Sequence, residues 1–184
     1  MNIRERLQED ERRRLGTSNS VSSQILRRPE EFGELFEAFF DEEPSVRVRA
    51  AEAAEKATRV RPDLLVPLRK RLIAEAGELP QHQIRESVAR MLPRIKLEPH
   101  ERARAVALLH RYVADETPAL VLCALQSLTD FSNDDAVLRE KTIRLLETFE
   151  RQATAETFKV RLARMLARLR SQHDRRRPAA KPRR

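Results

Sequence analysis

The chain has 184 residues, of which 40% are hydrophobic and 36% charged, with a formal net charge of +8, three glycines and one cysteine. So little glycine argues against β-rich and nucleotide-binding folds, whose hairpin turns and phosphate loops rely on positive φ. No apolar run approaches the roughly 18 residues of a membrane span, and a lone Cys123 excludes an internal disulfide.

Abundant Ala, Leu, Glu and Arg beside sparse Val, Ile and Tyr is the composition of amphipathic helices. In chain order, residues 1–27 read as a charged N-terminal helix and a linker or capping segment. Ile3 and Leu7 lie on one side of the first helix, and Gly16-Thr17-Ser18-Asn19-Ser20 sets it off from residues 21–28. The opening MNIRERLQEDERRRLG lacks the apolar core of a signal peptide. With a single cysteine, this leads to the expectation of a cytoplasmic protein.

From residue 28 the pattern repeats. Residues 46–54 (VRVRAAEAA), 84–92 (IRESVARML), 120–128 (LVLCALQSL) and 158–166 (FKVRLARML) share apolar positions at offsets 0, 4, 5 and 8, at spacings of 38, 36 and 38 residues. These offsets mark one face of a helix, and internal periodicity of this length marks a repeat architecture. A second amphipathic helix precedes each copy. Phe32, Leu35, Phe36, Phe39 and Phe40 mark the first, and Leu65, Leu68 and Leu72 the second. Ala105, Leu108, Leu109, Tyr112 and Val113 mark the third, and Leu138, Leu145, Leu146 and Phe149 the fourth.

Prolines punctuate the units. Pro29, Pro62 and Pro99 fall where first helices should begin, and Pro44, Pro80 and Pro118 where second helices should, positions at which a missing N–H costs nothing. Gly77 is placed as the C-terminal cap of a helix over residues 65–76. Asp41-Glu42-Glu43-Pro44 and Asp115-Glu116-Thr117-Pro118 are nearly the same turn. The aromatic stripe of Phe32, Phe36, Phe39 and Phe40 has the spacing of a buried face, and so does Tyr112.

Residues 46–54 resemble the second helix of a HEAT repeat, in which an apolar residue and Arg precede small residues. The family often forms a ladder between this Arg and an Asp in the intra-repeat turn. Asp41 and Arg47 match both positions, whereas Leu79 with Arg85, Asp115 with Val121 and Ala153 with Lys159 depart from the pattern. The resemblance spans residues 28–171. It implies an all-α, right-handed α-solenoid of about four antiparallel helix pairs, with units near 28–60, 61–97, 98–133 and 134–171. It further implies that the second helices line a concave face where partners bind.

Offsets 3, 6 and 10 of the motif should point away from the core. They comprise Arg49, Glu52 and Lys56; Ser87, Arg90 and Arg94; Cys123, Gln126 and Asp130; and Arg161, Arg164 and Arg168. Seven of the twelve are basic (Arg49, Lys56, Arg90, Arg94, Arg161, Arg164 and Arg168), which suits an acidic partner or a phosphate backbone. Codon bias toward Arg explains the same strip without function. Residues 172–184 read as a basic, disordered tail. Its Arg175, Arg176, Arg177, Lys181, Arg183 and Arg184 carry six of the net charges and leave the rest of the chain near balance. No aromatic residue in that tail offers base stacking.

Catalytic patterns are wanting. His82, His100, His110 and His173 are scattered without HExxH, Cys123 has no neighbouring histidine, and acidic residues are read as lying on wet helix faces. The resulting expectation is a non-catalytic scaffold or adaptor without metal or cofactor, binding a protein through its concave surface. Nucleic-acid binding by the Arg face and tail is the alternative. A DNA glycosylase-type repeat enzyme ranks third, since the chain has no Trp and one Tyr.

Overall fold

The computed structural model describes residues 2–8 and 17–176. Among these residues every regular element is helical, so the chain is all-α. The α-helices are α1 (Ile3–Gln8), α2 (Thr17–Arg27), α3 (Phe32–Glu37), α4 (Pro44–Val60), α5 (Arg69–Ala74), α6 (His82–Met91), α7 (Pro99–Val113), α8 (Pro118–Phe131), α9 (Ala136–Gln152) and α10 (Glu156–Arg176). Packing divides the chain into residues 1–124 and 125–184, with the division inside α8.

Proline sets several starts. Pro44 and Pro99 occupy the first turn of α4 and α7, and Pro118 opens α8. The first helix of the second pair is broken differently from the expected 65–76. Pro62–Leu68 forms a 3-10 helix that contains Pro67, whose ring and missing N–H delay the α-helix to Arg69. Pro80 likewise precedes α6, whose N-cap is Gln81. The two acidic turns do match: Asp41 Oδ1 accepts from the Glu43 N–H and Asp115 Oδ1 from the Thr117 N–H, each at 2.9 Å. These side-chain acceptors satisfy amides that the next helix would leave open.

Gly77 does not act as a left-handed cap, because no described glycine has positive φ. It allows a close approach instead. A Cβ there would meet Leu108 Cδ2 at 2.6 Å and Tyr112 Oη at 3.3 Å, and the Tyr112 hydroxyl donates to the Gly77 carbonyl at 2.6 Å.

In residues 1–124, α4 packs against α2 on one side and α6 on another, α3 rests on α4, and α5 rests on α7. The repeat register accounts for this core. Offsets 0, 4, 5 and 8 are fully buried in its first two copies: Val46, Ala50, Ala51 and Ala54; Ile84, Val88, Ala89 and Leu92. The third copy, Leu120, Ala124, Leu125 and Leu128, is buried as well and spans the division inside α8. Phe32, Phe36 and Phe39 are buried too, and Phe40 is half-buried. The segment Ile3–Gln8 docks on α2, α3 and α4, burying Ile3 and Leu7.

In residues 125–184, α9 packs on α10. Leu162, Met165, Leu166 and Leu169 turn inward, but Ala163 is exposed and Phe158 half-buried. The α10 helix runs past the expected boundary at residue 171 to Arg176, since no helix breaker occurs before Pro178.

Candidate partner interface

At about 100° per residue the buried offsets 0, 4, 5 and 8 cover an arc of roughly 0–140° around each second helix. Offset 6 then falls near 240°, opposite the core, while offsets 3 and 10 fall at about 280–300°, on a shoulder. The structure separates these positions. Offset 6 is exposed in all four copies, as Glu52, Arg90, Gln126 and Arg164. The shoulder positions are mostly covered. Arg49, Lys56, Arg94 and Asp130 are half-buried, and Ser87 and Cys123 are buried at 1% and 9% exposure, contrary to the expected outward placement. The reason is geometric: at about 280–300° several of these side chains reach a neighbouring unit instead of solvent.

Several of these side chains bond across one repeat. Lys56 Nζ donates to Ser18 Oγ at 2.5 Å, 38 residues back. Arg94 Nη1 donates to the Glu55 carbonyl at 2.7 Å, 39 residues back, and to Thr58 Oγ1 at 3.0 Å. Arg168 Nη1 pairs with Asp130 at 2.7 Å, 38 residues back, and Nη2 donates to Asn133 Oδ1 at 3.2 Å. The offset-3 residue Arg49 donates to the Leu7 carbonyl at 2.6 Å, satisfying the C-terminal end of α1. Arg90 pairs with Glu86 on its own helix at 3.1 Å. Five of the seven cations expected to meet a partner are thus engaged inside the chain. Arg161 and Arg164 are exposed on α10, with no ion pair among the described residues. The side chains of Arg175 and Arg176, and the whole of Arg177, Lys181, Arg183 and Arg184, lie outside what the structure describes.

Glu55 is the hub that the sequence reading missed. It is 3% exposed and receives Arg59 Nε at 3.0 Å and Nη2 at 2.7 Å, together with the Arg94 guanidinium. Burial pushes its carboxyl upward, but hydrogen bonds and charges from Arg59 and Arg94 outweigh that, and the group sits below the ordinary carboxylate value. Glu101 is also 3% exposed, held by Arg69 Nε at 2.9 Å and by the Glu98 N–H at 3.1 Å. The Glu98 amide is foremost in keeping it below the usual range. Both acids correct the expectation that acidic groups lie only on wet faces. The available clue was an acid inside the Ala-rich core run at 53–57, one period before Arg94. In residues 125–184, Arg139 is 2% exposed and donates to the Asn133 carbonyl at 2.8 Å.

The turn ladder also differs from the expected pairing. Arg47 Nη1 donates to the Asp41 carbonyl at 2.8 Å, whereas the Asp41 carboxylate takes Arg4 Nε at 2.6 Å. The Arg4 hydrogen bond is foremost in holding that carboxyl below its usual value. Arg47 Nε also reaches forward to the turn of the next unit, 2.7 Å from the Gln81 amide oxygen when that oxygen faces it. Arg85 Nη1 makes the corresponding step to Asp115 at 3.1 Å. Arginine therefore reaches the following turn, with Gln81 and Asp115 as acceptors.

An open groove of about 320 Å³ lies between α5 and α7, floored by Ile73, Ala74, Ala107 and Leu108 and rimmed by Arg104 and the Arg111–Glu78 ion pair. Among the described residues no group of three or more His, Cys, Asp or Glu side chains is arranged to hold a metal, and no described helix is long and apolar enough to cross a membrane. Comparison with protein-family models, curated proteins and solved structures finds no match to the chain.

Proposed function

We propose that the repeated helix pairs build a HEAT-like, right-handed α-solenoid of about four units. In this reading the protein is a non-catalytic scaffold that binds another protein across the outward faces of its second helices. The observation that carries the reading is the split between offsets. Shoulder cations at three levels are used in bonds about one repeat long, while offset 6 stays exposed at every level. These offset-6 residues, Glu52, Arg90, Gln126 and Arg164, are mixed in sign. That suits a polar protein surface, where charge pattern gives specificity, better than a uniformly anionic phosphate backbone. Cytoplasmic placement belongs to the same proposal and keeps Cys123 a thiol.

The test is capture from a nuclease-treated extract of the native cell, comparing wild type with a Glu52→Arg, Arg90→Glu, Gln126→Arg variant. All three positions are exposed, so the variant should melt within about 2 °C of wild type. A protein captured by wild type and lost in the variant is the expected result. Capture unchanged by the triple substitution overturns the assignment of the face, and capture that disappears with nuclease in wild type favours nucleic acid.

A further inference from the structure

The second helices are not equivalent at their edges. On α4 the positions at offsets 5 and 9, Ala51 and Glu55, are buried, and α6 packs against that helix. Their counterparts Leu125 and Thr129 on α8 are buried as well, and Ala89 on α6 likewise. On α10 the same offsets are Ala163 and Ala167, and both are exposed. Val160, at offset 2, is 40% exposed, whereas its counterparts Val48, Glu86 and Leu122 are half-buried. At about 100° per residue, these three α10 residues form one stripe near 140–200°. It is small and apolar, of the kind that lets a second helix approach closely, with Glu156 at its N-terminal end.

We infer that this face of α10 is a docking surface for an acidic amphipathic helix of another protein, which would take the place that α6 takes on α4. The inference rests on the repeat reading proposed above. Charge selects the occupant. Arg164 borders the stripe on one side, and Lys159 and Arg170 on the other; Arg170 is paired with Glu147 at 2.7 Å but remains exposed. Carboxylates flanking the apolar seam of an incoming helix would meet these cations, as flanking charges do in paired helices. A second copy presenting its own α10 would oppose cation to cation. Residues 177–184 of this chain are unsuited for the same reason, carrying four cations and no acid.

The probe is a synthetic helical peptide of about 18 residues with Leu and Ala at i, i+3, i+4 and i+7 and Glu on both flanks. The same peptide with Lys flanks is the control. Fluorescence anisotropy with the full chain should show saturable binding of the Glu peptide, at least about tenfold tighter than the Lys peptide. An Ala163→Arg, Ala167→Arg variant, checked by circular dichroism for retained helix, should weaken the Glu peptide about tenfold, because bulk closes the stripe.

Binding that instead strengthens in this variant would be charge attraction alone, and it overturns the surface. Equal binding of the two peptides, or none, does the same. A duplex DNA that competes at this stripe, or a concentration-dependent dimer abolished by the variant, replaces the proposed occupant and overturns it. The Glu52→Arg, Arg90→Glu pair lies on other helices and should leave peptide affinity unchanged, so failure here is distinguishable from failure of the scaffold face.

Discussion

Arg94, in the 3-10 turn that follows α6, reaches back 39 residues to Glu55 of α4, gripping both the carbonyl and the carboxylate of the same residue. The pair is mostly sheltered, with the Glu55 side chain 4% and the Arg94 side chain 21% exposed. In such surroundings the loss of one partner costs far more than the pair contributes as a whole, because the remaining charge keeps its desolvation cost.

Glu55→Ala should therefore lower the unfolding free energy by about 3 kcal/mol, as read by urea denaturation. Arg94→Ala should cost less, since the Arg59 contacts remain. The double variant should fall short of the sum of the single effects by about 1–2 kcal/mol. Strict additivity would mean that the contact carries no coupling.

Glu55 also links stability to pH. Its folded-state carboxyl sits below its unfolded value, so its contribution is complete above the ordinary carboxylate pKa of about 4.3 and fades as pH falls through the lowered value. Glu37, Asp41, Glu101 and Asp115 shift the same way. Unfolding free energy should drop between about pH 5 and pH 3, and Glu55→Gln should flatten part of that slope. An identical slope in the variant would contradict the assignment.

Tyr112 offers an alkaline counterpart. It is 3% exposed, and burial pushes its phenol well above the ordinary value. Because the chain has one tyrosine, tyrosinate absorbance reports on it alone. That absorbance should stay absent past about pH 10 and then rise together with unfolding, since the unfolded state releases the proton more readily. Tyr112→Phe loses the bond to the Gly77 carbonyl and should cost about 1 kcal/mol. Titration near the ordinary value would show that the ring is wet.

Leu7 tests the docking of α1. It is fully buried, and Leu7→Ala should lower the unfolding free energy by about 2–4 kcal/mol. A negligible change would show that the N-terminal helix stands apart from α2, α3 and α4 in solution.

The core was legible in the sequence because it follows from helical period alone. Val46, Ile84 and Leu120 begin three runs whose every core offset is buried. The bonds between units were harder to read. Whether Lys56 or Arg94 meets solvent depends on which shoulder of the helix faces its neighbour, and a single helix's period does not specify that. The helical pattern places Ser87 and Cys123 outward for the same reason, yet they are buried. Pro67, inside a predicted helix, was a local signal that did bear on structure, for it delays α5 to Arg69. Arg161 and Arg164 alone among the seven expected interface cations keep the free exposure that the pattern assigned to them.

The dock for Ile3 and Leu7 is built from α2, α3 and α4, elements that follow α1 in the chain. Synthesis runs from the N-terminus, so α1 emerges before the surface that will cover it exists. For that interval its two apolar side chains rely on charged sequence neighbours such as Arg4, Glu5 and Arg6 to discourage association with other nascent chains. The fold therefore secures α1 only once α4 is made, because Arg49, which holds the Leu7 carbonyl, must exist before that helix can settle.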